Sequence, residues 1–170
     1  MVKNTFLIRA RVNLEHAEAF KQTEIDLGSY TNLGSSKPEV LRIHGAHWYI
    51  QDAAGTMPSM GGDKAGELAY QITTTSQSAL VSAGNDSFLL GGQAGLRNGD
   101  SAENPPSNAF SDSIMPQDFV AGQVVAVPSI FLGGLAGAEF TEDVYVTVIL
   151  ECTTEAMSKA NAVALAISQQ

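Results

Sequence analysis

Val144-Tyr145-Val146-Thr147-Val148-Ile149-Leu150-Glu151-Cys152 is the stretch that decides the fold class. Val144, Val146, Val148, Leu150 and Cys152 face one way, and Tyr145, Thr147, Ile149 and Glu151 the other. This two-residue period belongs to a strand with one buried face, and its β-branched residues suit a pleated surface. Cys152 is the single cysteine of the chain, so no disulfide can form within it. In this apolar run its thiol is expected to be buried and inert.

Working outward, the same period recurs. In Thr5–Leu14, Phe6, Ile8, Ala10, Val12 and Leu14 alternate with Leu7, Arg9, Arg11 and Asn13. Val40–Gln51, with Trp48 and Tyr49, and Glu67–Thr75, ending in three threonines, read as two more strands; Thr23–Leu27 and Ser87–Gly91 are shorter candidates. Gln123–Leu132 resumes β character but contains Pro128, which suits an edge or a bend. The pairs Gly61-Gly62, Gly91-Gly92 and Gly133-Gly134 read as turns. Gly92–Asp118, rich in Gly, Asn, Ser and Pro and without period, predicts one long loop, and loops of that length in a compact domain are usually functional.

Past Cys152 the period changes. Thr153 or Thr154 can cap a helix over residues 154–168, with Glu155 in its first turn. Met157, Ala160, Val163, Ala164 and Ile167 would form its apolar stripe. A helix of about fifteen residues is marginal alone in water and has to dock on something. The expectation is a mainly β protein: one sandwich domain spanning 1–170, with six to eight antiparallel strands and a short C-terminal helix.

Composition narrows the function class. A chain of 170 residues can bury a full core without a disulfide or metal. Only 16% of residues are charged, against about a quarter in ordinary soluble domains; Ser, Thr, Asn, Gln and Gly fill the remaining surface, as they do in proteins that pack against neighbours. The net charge is −9, and nearly all of it lies beyond Asn98, where Lys159 is the lone base. Such a surface disfavours whole-face binding to nucleic acid. Lys3, Arg9 and Arg11 are the one basic group, a candidate contact for nucleic acid or lipid headgroups. The apolar run Gly122–Leu135, with Val124, Val125, Val127, Ile130, Phe131 and Leu132, exceeds what one strand needs and is a candidate subunit contact.

No catalytic constellation emerges, and the chain is expected not to be an enzyme and to need no cofactor or metal. His44-x-x-His47 lies on a strand, where residues three apart point to opposite faces and cannot easily share an ion. Glu15-His16-x-Glu18 has no nucleophile beside it. A cupin-like metal site would need His16, His44 and His47 to converge. No glycine pair has the spacing of a phosphate cradle, and the loop aspartates form no calcium motif. Trp48 and Tyr49 point to opposite faces, so at most one can be an exposed sugar platform, and Trp48 is expected in the core.

The layout of an opening strand at Asn4–Val12, short strands with Gly/Ser/Pro-rich loops, the closing strand Val144–Cys152 and the Ala-rich tail Met157–Gln170 resembles the small single jelly-roll major capsid proteins of tailless icosahedral, internal-membrane viruses of archaea and thermophilic bacteria. The resemblance implies a jelly roll of eight strands and a self-assembling capsid subunit with no small-molecule substrate. It also implies capsomers of this chain, a second capsid protein, a membrane or genome beneath, and a place in the virion. Met1–Arg9 breaks its apolar stretch too early for a signal peptide, so synthesis in the host cytoplasm is expected. The alternative is a carbohydrate- or ligand-binding β-sandwich, such as a phage fibre or host-recognition module.

Overall fold

The computed structural model describes residues 5–170. Along the chain run β1 (Phe6–Glu15), β2 (Lys21–Asp26), β3 (Glu39–Gln51), β4 (Ala65–Thr73), β5 (Phe88–Arg97), β6 (Asn108–Ile114), β7 (Gln123–Val125), β8 (Ser129–Ala136), β9 (Val144–Ala156) and the helix α1 (Lys159–Ser168). They form two antiparallel sheets, of order β1-β9-β3-β7 and β2-β8-β4-β5-β6.

The pairings identify the topology. β1 pairs with β9, β2 with β8, β3 with β7 and β4 with β5, which is one long hairpin with β4–β5 at its tip. Wrapping that hairpin brings β9 beside β3 and β8 beside β4, and both contacts are present. This is a jelly roll, two Greek keys closed over one core. Eight strands make the roll, and β6 is a ninth, added to the outside of β5.

β9 lies at the centre of the first sheet, bonded to β1 and β3. Its inward side chains Val144, Val146, Val148, Leu150 and Cys152 are wholly buried. Across the core they meet the second sheet's inner face, including Leu68, Ile72, Leu90, Ile130 and Leu132. A separate small cluster (Val40, Ala126 and Ala162, with Val124, Met157 and Leu165) sits under α1 on the outer side of the first sheet.

Several expectations need correcting. Gly92–Asp118 is not one loop: β5 runs to Arg97, and β6 occupies Asn108–Ile114. Every residue of β6 is exposed, so it has no buried face and leaves no period in the sequence. The loop between them is pinned by the buried Asn98, whose amide donates to the carbonyls of Met60, Gly61 and Ala102. Gly91-Gly92 and Gly133-Gly134 are not turns but lie within β5 and β8. There the strands crowd each other: a Cβ on Gly134 would stand 2.5 Å from the Ala69 carbonyl oxygen.

The helix is shorter than 154–168. β9 continues to Ala156, so Thr153 and Thr154 are strand residues, and Ser158 is the cap, accepting from the Asn161 N–H. Its docked face is also not the expected stripe. Ala162, Leu165 and Ala166 pack inward, while Val163 and Ile167 are half-exposed or more. Small side chains win that face because α1 lies close over Val40 and Ala126. Gln169 completes the docking. Its amide donates to the Val124 carbonyl at 2.7 Å and accepts from the Ala126 N–H at 3.0 Å, groups on and just past the short edge strand β7.

Candidate functional site

The candidate chemical groups are dispersed. His16 follows β1 and places Nδ1 3.1 Å from Asp143 Oδ1. On β3 the register shifts between Ile43 and Gly45, a bulge with His44 as its extra residue. His44 Nε2 is 2.8 Å from the Thr153 hydroxyl, and His47 is exposed one turn of the pleat further on. The bulge resets the alternation, so the opposite-face argument does not apply to this pair. Among the described residues, no group of three His, Cys, Asp or Glu side chains could hold a metal ion. Burial pushes the Cys152 thiol up to about 12, which leaves it protonated and unreactive.

The aromatic pair divides between structure and surface. Trp48 packs on Tyr70 at a tilt of 35° with centroids 4.3 Å apart and donates its indole N–H toward Met115 Sδ at 3.0 Å. Tyr49 is exposed. An ion pair and a side-chain amide fix the outer side of the first sheet. The Arg42 guanidinium forks onto Glu155 at 2.8 and 2.6 Å, and that hydrogen bonding raises the Arg42 pKa further. Gln117 accepts from the Ala46 N–H and donates to its carbonyl, at 3.0 and 3.1 Å, closing the β3 edge beyond the end of β7.

The proposed contact run proves to be mainly interior. Val125, Val127, Ile130 and Leu132 are buried in the core, so they cannot meet another subunit. The run is long and apolar because β7 and β8 belong to different sheets and each sends side chains to the core. Val124 is half-buried beneath α1, and Phe131 is half-buried on the outer side of β8. Of the basic group, Lys3 lies outside the described residues. Arg9 and Arg11 are exposed on the outer face of β1. Arg11 is held, donating to the Asp52 carbonyl at 3.0 Å with its guanidinium 4.0 Å above the Tyr145 ring. Arg9 has no side-chain partner among the described residues.

The surface that sequence reading missed is the outer face of the second sheet at β6. Register places Phe110 opposite Gly95, Asp112 opposite Gln93 and Ile114 opposite Gly91. Phe110 is 75% exposed. Its ring, with Leu80, Leu135, Ala69 and Gly95, borders a shallow groove of about 260 Å³. Phe119 and the fully exposed Val120 follow just past β6. The available signal was apolar residues set singly in polar surroundings, Ala109-Phe110 and Phe119-Val120, which no core period explained. Chemically these surfaces can bind and pack; they hold no paired reactive groups.

No protein-family model matches the chain, and no curated protein does. Among solved structures it is similar to VP1 of Trichodysplasia spinulosa-associated polyomavirus, solved in complex with sialylated precision glycooligomers. That match has 6% identity and a TM-score of 0.45, and covers 88% of this chain and 93% of that one. It is also similar to VP1 of Merkel cell polyomavirus, solved in complex with disialyllactose, at 7% identity and a TM-score of 0.37, covering 92% and 97%. The class defined by the strand order itself is a jelly-roll β-sandwich.

Proposed function

We propose that this chain is a structural protein, a self-assembling viral capsid subunit whose jelly roll is the repeating unit of a capsomer. The observation that carries this reading is the distribution of exposed large apolar side chains around the roll. Leu7 lies on β1, Phe110 and Ile114 on β6, Phe119 and Val120 after it, and Val163 and Ile167 on α1. One patch would suit a dimer. Several patches on separate flanks suit a subunit with several neighbours, and symmetric assemblies multiply such weak contacts. The low charge content of the surface points the same way.

Further elements of the proposal are a second capsid protein in the shell, a place in the virion, and kinship with the internal-membrane viruses whose capsid proteins the layout resembles. Arg9, with Lys3 and Arg11, is the proposed contact for a membrane or genome beneath the shell. Light scattering on a size-exclusion column, with negative-stain microscopy of the main peak at low and high salt, tests the reading. Pentamers, hexamers, sheets or shells are expected. A stable monomer or compact trimer under every condition overturns it.

One observation favours a second reading, a carbohydrate- or ligand-binding module. Phe110 stands over a small-residue floor beside Gln93, an aromatic and a polar group in one shallow groove. A small oligomer that gives glycan-array hits abolished by Phe110→Ala would establish that reading instead.

A further inference from the structure

Each sheet ends in two edge strands, and the four are treated differently. β7 has three residues, and the side chain of Gln169 occupies backbone groups on and just past it. β2 carries three charges, Lys21, Glu24 and Asp26, and Lys21 is paired with Glu15 at 3.0 Å. β6 lacks most of the usual protection, Asp112 being its single charge. It is seven residues long, without lysine, arginine or proline, exposed throughout and uncovered on the side away from β5. Natural sheets protect such an edge or use it for pairing. Among the described residues β1 bonds to β9 alone, so its other edge is open too.

We infer that the open edge of β6 in one copy pairs with the open edge of β1 in the next, joining the five-stranded sheet of one molecule to the four-stranded sheet of its neighbour. This rests on the self-assembly reading and names its contact. Charge selects the occupant. The sole ionic side chain of β6 is Asp112, and among the described residues it has no side-chain partner. Pairing β6 with another β6 brings two Asp112 carboxylates together, and pairing it with β2 brings Glu24 and Asp26 against Asp112; like charges across strands are unfavourable. β1 offers Arg9, exposed and without a side-chain partner among the described residues; this pairing takes the place of the membrane or genome contact proposed for Arg9.

The spacing agrees. Leu7, Arg9 and Arg11 share the outer face of β1, and Phe110, Asp112 and Ile114 share the outer face of β6. Antiparallel pairing with Arg9 opposite Asp112 sets Leu7 against Ile114 and Arg11 beside Phe110, so each side chain meets a suitable neighbour. The other face of β6 carries only Ala109, Ser111 and Ser113. These small residues suit the groove of about 390 Å³ that runs between β1 and β2. The contact uses two different patches, so it repeats from copy to copy and can close into a ring.

Cysteine cross-linking tests this directly, because the native Cys152 is buried. Directly opposed residues bring their Cβ atoms to about 4.5–5.5 Å, near disulfide reach. Under mild oxidation the double variant R9C/D112C is expected to give a ladder of covalent multimers, while R9C and D112C alone stay monomeric on a non-reducing gel. Covalent dimers from D112C alone, or no ladder while light scattering still records assemblies, overturn the pairing and leave the self-assembly reading intact. Absence of any assembly overturns both. As a check on folding, R9D and D112R are each expected to weaken association about tenfold or more through like-charge contact. The double variant R9D/D112R is expected to restore it, and failure to restore counts against the pairing.

Discussion

Cys152 and Asp143 mark two extremes of side-chain environment in this protein. The Cys152 thiol, buried at the centre of the first sheet with its pKa at about 12, should not react with a maleimide at pH 8 in the folded state. It should react fully in denaturant, and a thiol count before and after unfolding checks this. Asp143 is held below the usual carboxylate range, first by the Asn13 amide donating at 2.8 Å and then by His16. A carboxylate depressed on folding stabilises the fold above its unfolded value of about 3.9, and the contribution is lost as pH falls through the lower folded value. Asp143→Asn should therefore flatten the fall in urea midpoint below about pH 4. The change should be small because the side chain is 40% exposed.

At the scale of the element, legibility followed burial. β1, β3 and β9 could be read because one face of each is buried and the other is not, and that contrast writes a two-residue period into the chain. β6 could not be read, since it buries neither face. α1 was placed too early and turned the wrong way: the sheet continues through Thr153 and Thr154, and close packing on Val40 and Ala126 selects Ala162 and Ala166 over Val163 and Ile167. The glycines misled for a related reason. Gly134 serves close strand approach, whereas a Cβ on Gly95 would meet nothing within 4 Å. Gly134→Ala should destabilise by about 1–3 kcal/mol through overpacking. Gly95→Ala should be neutral or stabilising by up to about 1 kcal/mol, since it removes the entropic cost of glycine in a strand. Denaturant unfolding of the two variants side by side checks the contrast.

For the molecule as a whole, the jelly roll was expected through a resemblance, and the pairings now supply it independently, from the hairpin of β4–β5 outward. Four of the six residues expected at a subunit contact lie in the core, because a long apolar run is read equally well as core or as interface until the sheets are assigned. If the exposed pair Arg9 and Asp112 joins copies, assembly should weaken between low and high salt. The Debye length falls to about 3 Å at 1 M. A sedimentation series across that range should shift toward smaller species in the native protein, and the shift should disappear in Arg9→Leu.

The central position of β9 also orders events in time. β1 and β3 are not neighbours; each bonds to β9, and Phe6 sits opposite Cys152. During synthesis the first and third strands leave the ribosome early and wait, unpaired with each other, until residues 144–156 emerge. The first sheet therefore closes last, by contacts between sequence-distant segments, which are slow to form. The edge of β1 becomes a finished surface only once β9 has been made. If copies join through that edge, joining cannot begin before β9 has paired with β1.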